Sequence, residues 1–528
     1  MSAPTFFIAG YWGFGNVGDE AVLAVTISDI RSLFPDARII VTSERPTVTE
    51  TMHGVEAVGW RALNEFLPAL SESDHVIVGG GGLWNSYFSP SLTTILSDTS
   101  NYAEHIYTIP AIARLLEKPV TIYCVGGGVI NGDAMRELAA LGLACASRIL
   151  VRDRRTLEFF QNDLAVSQPL VVGDPAFRLQ SATTELDGIA DVVSWADREQ
   201  PLIAVVRPWM GYSITHLAKH LEPVLASASR LLGKPVLFIS FDQAMHDADE
   251  LSDDAQLIQA VCSHLPEDIR TRTFTEEVHP SSILRLIESA TAVISMRLHG
   301  CILAASAAKP LLALECDAKV GAVLSDIGLE DHVVKLSAMN PTVCDAVLVR
   351  AMTTAGLAVS SSAADYAKVL SSQAPPLLAK AVAEATVPAV PSALSNLVPR
   401  LVSRSLRTHS LVTQNLPLFA TVARDAVNGG NVKLARAMLA ILRMYDAECG
   451  EWYYLEAVAN ASEGGPSDYT FTMLEKARVL GFDETWIRYV RACTLVRIGR
   501  LEAAIAERDA ARAAAGSHPA IPSFDAAF

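Results

Sequence analysis

The sequence has no CxxC pair, no run of basic residues and no long uninterrupted apolar stretch. Its eight cysteines (Cys124, Cys145, Cys262, Cys301, Cys316, Cys344, Cys449 and Cys493) lie mostly inside apolar segments, so they read as reduced core residues rather than a zinc site or a disulfide framework. Lys and Arg number 42 against 58 Asp and Glu, a net charge of −16. That balance, with no basic cluster, excludes nonspecific nucleic-acid binding, which needs grouped cations to displace phosphate counterions. Pockets of local positive charge for small anions remain compatible with it. No window of about 18–20 apolar residues is free of charge or turn signals, which excludes a spanning helix. The opening MSAPTFFIAGYWG lacks a charged n-region, so no signal peptide is expected. These absences predict a soluble cytoplasmic protein, with a peripheral seat at the inner face of the membrane as the other option. Half of the 528 residues are apolar, which excludes disorder over most of the chain. At about 100–200 residues per domain, the length predicts three or four folding units.

The first half alternates β-branched or aromatic runs with amphipathic stretches. Thr5–Ala9, Arg38–Val41, His75–Val78, Val120–Val125 and Ile149–Val151 read as strands, and 21–34, 62–70, 106–117 and 134–146 as helices between them. A second set follows at Leu202–Val206, Val236–Ile239, Ala292–Ile294 and Leu311–Leu314, separated by helical patterns over 214–232 and 281–289. Strand and helix alternating at this spacing predict parallel βαβ units in two doubly wound α/β halves with a cleft between them. We divide the chain into 1–180, 181–372, an Ala/Pro-rich linker over 373–399, a helical domain over 400–515 and a flexible tail over 516–528. In the helical domain Trp452 and Trp486 are 34 residues apart, and Gly430, Gly465 and Gly499 follow at 35 and 34. This period resembles a tetratricopeptide repeat; an irregular helical bundle is the alternative.

Chemistry concentrates at strand ends. Gly10-Tyr-Trp-Gly13-Phe-Gly15-Asn16-Val-Gly18-Asp19-Glu20 follows the first strand and opens a helix. Asp19 and Glu20 in the first helical turn would repel a phosphate, which argues against a dinucleotide fingerprint and for a hydroxyl-rich sugar beside Tyr11 and Trp12. The ordinary reading is a tight turn capped by Asp19. Gly79–Gly82 and Gly126–Gly128 follow two further strands, so three glycine loops share one sheet edge, where open α/β sheets place ligands. Arg152, the segment Val172-Gly173-Asp174-Pro175, Arg207 and the segment Met296-Arg297-Leu298-His299-Gly300 also follow strands. Arginines there can grip a carboxylate or phosphate, and a histidine adds a proton carrier. For Arg152 the ordinary reading is a surface ion pair with Asp153 or Glu158; for Arg207 and His299 it is a satisfied polar residue at a strand end.

Taken in order, GYWGFGNVGDEAVL, VGGGGLW, CVGGGVI, ILVRDRRTLEFF, VVGDPAF, VVRPW, ISMRLHGCILAASAAKPLLAL and CDAKV resemble the polysaccharide pyruvyltransferase family, particularly its members acting on cell-wall N-acetylmannosamine. The likeness covers about residues 5–370 and leaves out the helical region. It departs from the family pattern in GGLWNSYF and at Ala318, the first of these on the acceptor side.

The resemblance implies a glycosyltransferase-B-like fold and transfer of pyruvate from phosphoenolpyruvate to two hydroxyls of a sugar, as a cyclic ketal, in a cell-surface polysaccharide or its precursor. Such a donor needs fixed cations, and the resemblance places Arg207 and Arg297 there, with Lys319 assisting. His299 is the candidate for proton transfer near the donor, and Asp19 for binding or activating sugar hydroxyls. Asn16, Gly15, Glu20 and Gly81 complete the acceptor side. No metal and no cofactor beyond the donor substrate are expected. The expected partners are phosphoenolpyruvate and a sugar or lipid-linked glycan, with no nucleic acid; a protein partner could engage residues 400–515. Two other functions stay open: a nucleotide-sugar-dependent glycosyltransferase of the same fold, and a non-catalytic assembly protein acting through the helical repeats.

Overall fold

The computed structural model describes residues 3–61, 63–85, 102–182, 188–243, 252–384 and 448–515, with scattered positions from Ala420 to Arg443. Residues 1–397 form one compact unit and 398–528 another. The first unit holds two parallel sheets. Strands β1 (Thr5–Ala9), β2 (Arg38–Ser43), β3 (Glu56–Gly59), β4 (His75–Gly79), β5 (Val120–Val125), β6 (Arg148–Val151) and β7 (Leu170–Val171) build the first sheet. Its spatial order is β3-β2-β1-β4-β5-β6-β7. Strands β8 (Leu202–Val205), β9 (Val236–Ile239), β10 (Thr271–Phe274), β11 (Ala292–Ser295), β12 (Leu311–Glu315) and β13 (Val333–Lys335) build the second. There the order is β10-β9-β8-β11-β12-β13. The chain is thus α/β, a glycosyltransferase-B-like pair of doubly wound lobes followed by a helical C-terminal region.

Each sheet reverses its winding beside its first strand, between β1 and β4 and between β8 and β11. Carboxyl ends of strands at such switch points are open, because the following connections depart to opposite sides. The glycine loops after β1 and β4 therefore belong to one switch point, and Arg207 and the Arg297–His299 segment to the other.

One apolar core runs through both lobes, joining Phe6, Ile8 and Ile77 of the first sheet to Ile203, Val293 and Leu311 of the second. The helix Val17–Leu33 lies in this seam, packed against the helices Pro280–Glu288 and Leu298–Ser306. It is buried at twelve of its seventeen positions, which a single amphipathic stripe would not allow. A second core, with Leu202, Phe238, Ile294 and Leu312, covers the other face of the second sheet.

The interval 181–200 contains the helix Ala190–Glu199, which buries Val192, Val193 and Ala196. One sequence expectation is corrected. The linker expected from residue 373 begins instead with the helix Ala374–Ala383, which buries Ala374, Leu378 and Ala381 and packs on β5 and the helix Val17–Leu33. Pro375 and Pro376 mislead here because proline is well tolerated in a helix's first turn. The rest of the linker and the tail over 516–528 lie outside the described residues, as do Gly430 and 400–419 of the helical domain.

In the second unit, Gly450–Ser462 pairs with Ser467–Val479 and Glu484–Arg497 with Leu501–Ala515. Trp452 and Trp486 take matching places in the first helix of each hairpin, and Gly465 and Gly499 in the turns. Among the described residues no single helix is long and apolar enough to cross a membrane.

Candidate functional site

The glycine loop after β1 is held by polar contacts on every side. Asn16, not Asp19, caps the helix Val17–Leu33: its Oδ1 accepts from the N–H groups of Gly18 at 3.0 Å and Asp19 at 3.4 Å. Capping by Asn16 leaves the Asp19 carboxylate for other work. Glu20 is withdrawn from the expected acceptor side. Its Oε1 accepts from Gly13 N at 2.8 Å and its Oε2 meets His53 Nε2 at 2.8 Å, both buried. Arg45 grips the same loop through Gly13 O at 2.7 Å and reaches across to Glu277 of the second lobe with both Nη atoms, at 2.7 and 2.5 Å. The Gly15 carbonyl accepts from Gln243 N, and Val17 N donates to Phe241 O, so the loop is stitched to the segment after β9. Trp12 is wholly buried and serves as a core residue, unlike the sugar neighbour expected for it.

A cavity of about 180 Å³ opens beside this seam, lined by Tyr11, Phe14 and Asn16 from the first lobe and Arg207, Pro208, Asp242, Asp253, Asp254 and Arg297 from the second. Tyr11 and Phe14 stack at 3.9 Å, 4° from parallel, and give it an aromatic side. Arg297 does not face it as a bare cation. Its Nε and Nη2 form a bidentate pair with Asp254 at 2.7 and 2.5 Å, and Asp254 also accepts from the N–H groups of Phe241 and Asp242. The pair offsets most of the charge expected of Arg297 toward a donor. Arg207 is the other cation on the cavity wall.

Next to the cavity lies a charged cluster in which the buried Asp19, Arg152 and Asp174 meet the partly buried His299 and Lys319. Burial pushes the Asp19 carboxyl up to about 6; Glu20 adds to the shift, while His299, Lys319 and Arg152 oppose it. Gly81 makes room for it, since a Cβ there would sit 2.2 Å from Asp19 Oδ1. Burial likewise lowers the Lys319 ammonium from its ordinary value; Asp317, 3.2 Å away, opposes this, and Arg152 and Arg207 reinforce it. Arg152 is no surface pair. It is 5% exposed, bonded through Nε to Asp153 at 3.0 Å and 3.7 Å from Asp174 through Nη1. Burial raises Asp174, but His299, Arg152 and the Ala176 N–H outweigh it and hold the carboxyl below its usual range. His299 Nε2 lies 3.5 Å from Asp174 Oδ2.

Asn16, Arg207 and Arg297 thus line the cavity, while Asp19, Gly81, His299 and Lys319 gather beside it. Gly15 and Glu20 shape the loop. Sequence reading assigned no role to Asp174 or Asp254. Asp174 lay in a noted strand-end segment without an evident partner, and Asp254 sits in an acidic helix start that looks like ordinary dipole compensation. Among the described residues no three His, Cys, Asp or Glu side chains converge as a metal site.

A family model of polysaccharide pyruvyl transferase matches residues 16–318, more than half of the chain. No curated protein matches by sequence. Among solved structures, the chain is similar to UDP-GlcNAc 2-epimerase from Neisseria meningitidis bound to UDP-GlcNAc. There the identity is 11%, the cover 72% of this chain and 99% of that one, and the TM-score 0.46. For a glycosyltransferase from Rickettsia africae the identity is 10%, the cover 73% and 100%, and the TM-score 0.46. For E. coli ADP-heptose LPS heptosyltransferase II the corresponding values are 14%, 66%, 100% and 0.35.

Proposed function

The chain belongs to the polysaccharide pyruvyl transferase family, and from that premise we propose that it moves pyruvate from phosphoenolpyruvate onto two hydroxyls of one sugar, forming a cyclic ketal. The observation that carries this reading is the position of Arg207, shared between the cavity wall and the cluster of partly buried Lys319 and buried Arg152. Phosphoenolpyruvate carries a carboxylate and a phosphate, and these cations in a desolvated place suit it. The cavity itself holds three aspartates, an asparagine and a stacked aromatic pair, which suits a neutral sugar. The acceptor would then touch both lobes.

The reaction adds each hydroxyl oxygen to C2 of the donor and breaks the bond from C2 to the phosphate oxygen. Of the two hydroxyl protons, one ends on the methylene carbon, which becomes methyl, and one on the departing phosphate. Asp19, with a carboxyl near 6, is suited to take a hydroxyl proton close to neutrality, and His299 to deliver one to carbon. We assign the helical C-terminal region, by its repeat-like spacing, to a protein partner.

Calorimetric titration of phosphoenolpyruvate into the full chain tests the donor. Saturable binding is expected for the native chain, with affinity lowered at least tenfold in Arg207→Ala. Phosphate release on adding glycans then identifies the acceptor. Binding of a nucleotide sugar with none of phosphoenolpyruvate would overturn the reading in favour of a glycosyltransferase.

A further inference from the structure

We propose that His216 and His220, on the helix Ile214–Leu232, form a surface site for one divalent cation of the borderline class of Zn²⁺, Ni²⁺ or Cu²⁺. The site lies outside the transfer reaction and does not depend on it. Both histidines are exposed, and they stand four residues apart. At 3.6 residues per turn, that spacing puts them on one face of the helix, a single turn apart. Their rings lie side by side, with centroids 4.2 Å apart and planes inclined by 45°. Two histidines at this interval on one helical face are a known way of holding zinc.

A hydrogen bond decides which nitrogen is available. His220 Nδ1 lies 2.8 Å from the carbonyl oxygen of His216. A carbonyl only accepts, so Nδ1 carries the hydrogen, and the free lone pair of the neutral ring sits on Nε2, the nitrogen farther from the backbone. A backbone carbonyl on the other ring nitrogen is a common partner of a metal-bound imidazole, because it fixes both the tautomer and the ring's orientation. Among the described residues no hydrogen bond or ion pair engages the His216 ring, which leaves its nitrogens open to a ligand. Imidazole favours zinc, nickel and copper, whereas magnesium and calcium favour oxygen donors. Two protein ligands leave the remaining positions of the ion to water. Tyr212 packs beside both rings, at 5.6 and 6.5 Å between centroids. A bound ion would therefore staple the first turns of this helix, just after the segment that runs from the cavity residue Arg207 to Tyr212.

Calorimetric titration of Ni²⁺, Zn²⁺ and Mg²⁺ into the full chain, carrying no histidine tag, tests the site. Saturable binding of nickel and zinc is expected, with none of magnesium. His216→Asn and His220→Asn should each weaken nickel binding by about tenfold or more, because a chelate loses the effective concentration of its second ligand when either one goes. The sharper variant exchanges two neighbours, Thr215→His with His216→Thr. It keeps the composition and the number of histidines, and position 215 is exposed like 216. The rings are then five residues apart, about 140° around the helix, and cannot share an ion. Nickel affinity in this chain should fall as far as in the single variants. All the substituted side chains are exposed, so thermal melts without metal are expected to match the native chain. Nickel affinity within about threefold of native in the exchanged chain would overturn the proposal. So would single variants that lose half the bound nickel at unchanged affinity, since the two histidines would then bind separately. None of these readings uses phosphoenolpyruvate, so the site stands or falls apart from the donor assignment.

Discussion

At the scale of single residues, the site keeps charge where folding would rather not have it. Asp19 is 9% exposed and its carboxyl is raised from an ordinary 3.8 to about 6. Between those values the folded chain holds a proton that the unfolded chain has released, so stability falls as pH rises through that window. Above about 6 the full cost remains, on the order of 3 kcal/mol at most. Asp19→Asn removes the charge while keeping the shape. The variant is expected to resist urea better than native at pH 8, by up to about that amount, and to show no gain below pH 4. It should also lose pyruvyl transfer. Urea titrations of both proteins at the two pH values check the sign. A variant less stable than native at pH 8 would mean that Asp19 is a net stabiliser and its ionisation is not a stored cost. In the native enzyme the same group predicts kcat/KM falling as pH drops below about 6, since the base is then protonated.

Among the elements, the glycine loops matter for the space they leave as much as for their backbone freedom. Gly81 has φ +65° and would put a Cβ 2.2 Å from Asp19 Oδ1. Gly132, before the helix Asp133–Ala144, has φ +83° and nothing within 4 Å. Alanine at either position incurs the left-handed strain, about 1–2 kcal/mol, but only Gly81→Ala also displaces the Asp19 carboxylate, the proposed base. Gly81→Ala should lose the more stability, since its Cβ also meets the buried Asp19, and it alone should lose transfer by at least tenfold while still binding phosphoenolpyruvate. Equal activities would show that Asp19 tolerates the displacement. The same elements show what the sequence could reveal. Central strands such as β1, β5 and β9 are legible residue for residue, because strands buried on both faces are unbroken β-branched or aromatic runs. Of the edge-side strands, β3, β10 and β13 went unseen, and β7 was marked only by the segment that follows it. They are two to four residues long and partly exposed, with residues such as Glu56, Arg272 and Lys335 that carry no apolar pattern. At the site, the spacing of motifs brought out Arg207, Asp19 and His299. The partners that define their chemistry, Asp254, Asp174 and Glu277, come from distant segments, and no local pattern announces a pair made only by tertiary folding.

At the scale of the whole molecule, the two lobes act as one body. The continuous core through the helix Val17–Leu33, the Arg45–Glu277 pair and the bond from Arg154 N to Asp326 at 2.8 Å all cross between them. All the proposed site residues lie before residue 320, and the family match ends at 318. The helical unit has apolar clusters of its own, around Trp452 and Leu455 and around Tyr453 and Ile487. A chain of residues 1–397 is therefore expected to unfold cooperatively and to bind phosphoenolpyruvate within threefold of native. Ending the chain at 372, the boundary suggested by composition, should fail instead. It removes the helix Ala374–Ala383 and exposes the surface against which Ala374, Leu378 and Ala381 pack. Leu378 alone contributes about 2–3 kcal/mol of burial, and β5, which that helix covers, leads into the Gly126–Gly128 loop. Side-by-side thermal melts and titrations of the two truncations decide the matter. A stable, donor-binding 1–372 would show that the helix is dispensable. A 1–397 chain that folds but no longer binds phosphoenolpyruvate would make the helical region part of the site and would favour an assembly role over a self-sufficient transferase.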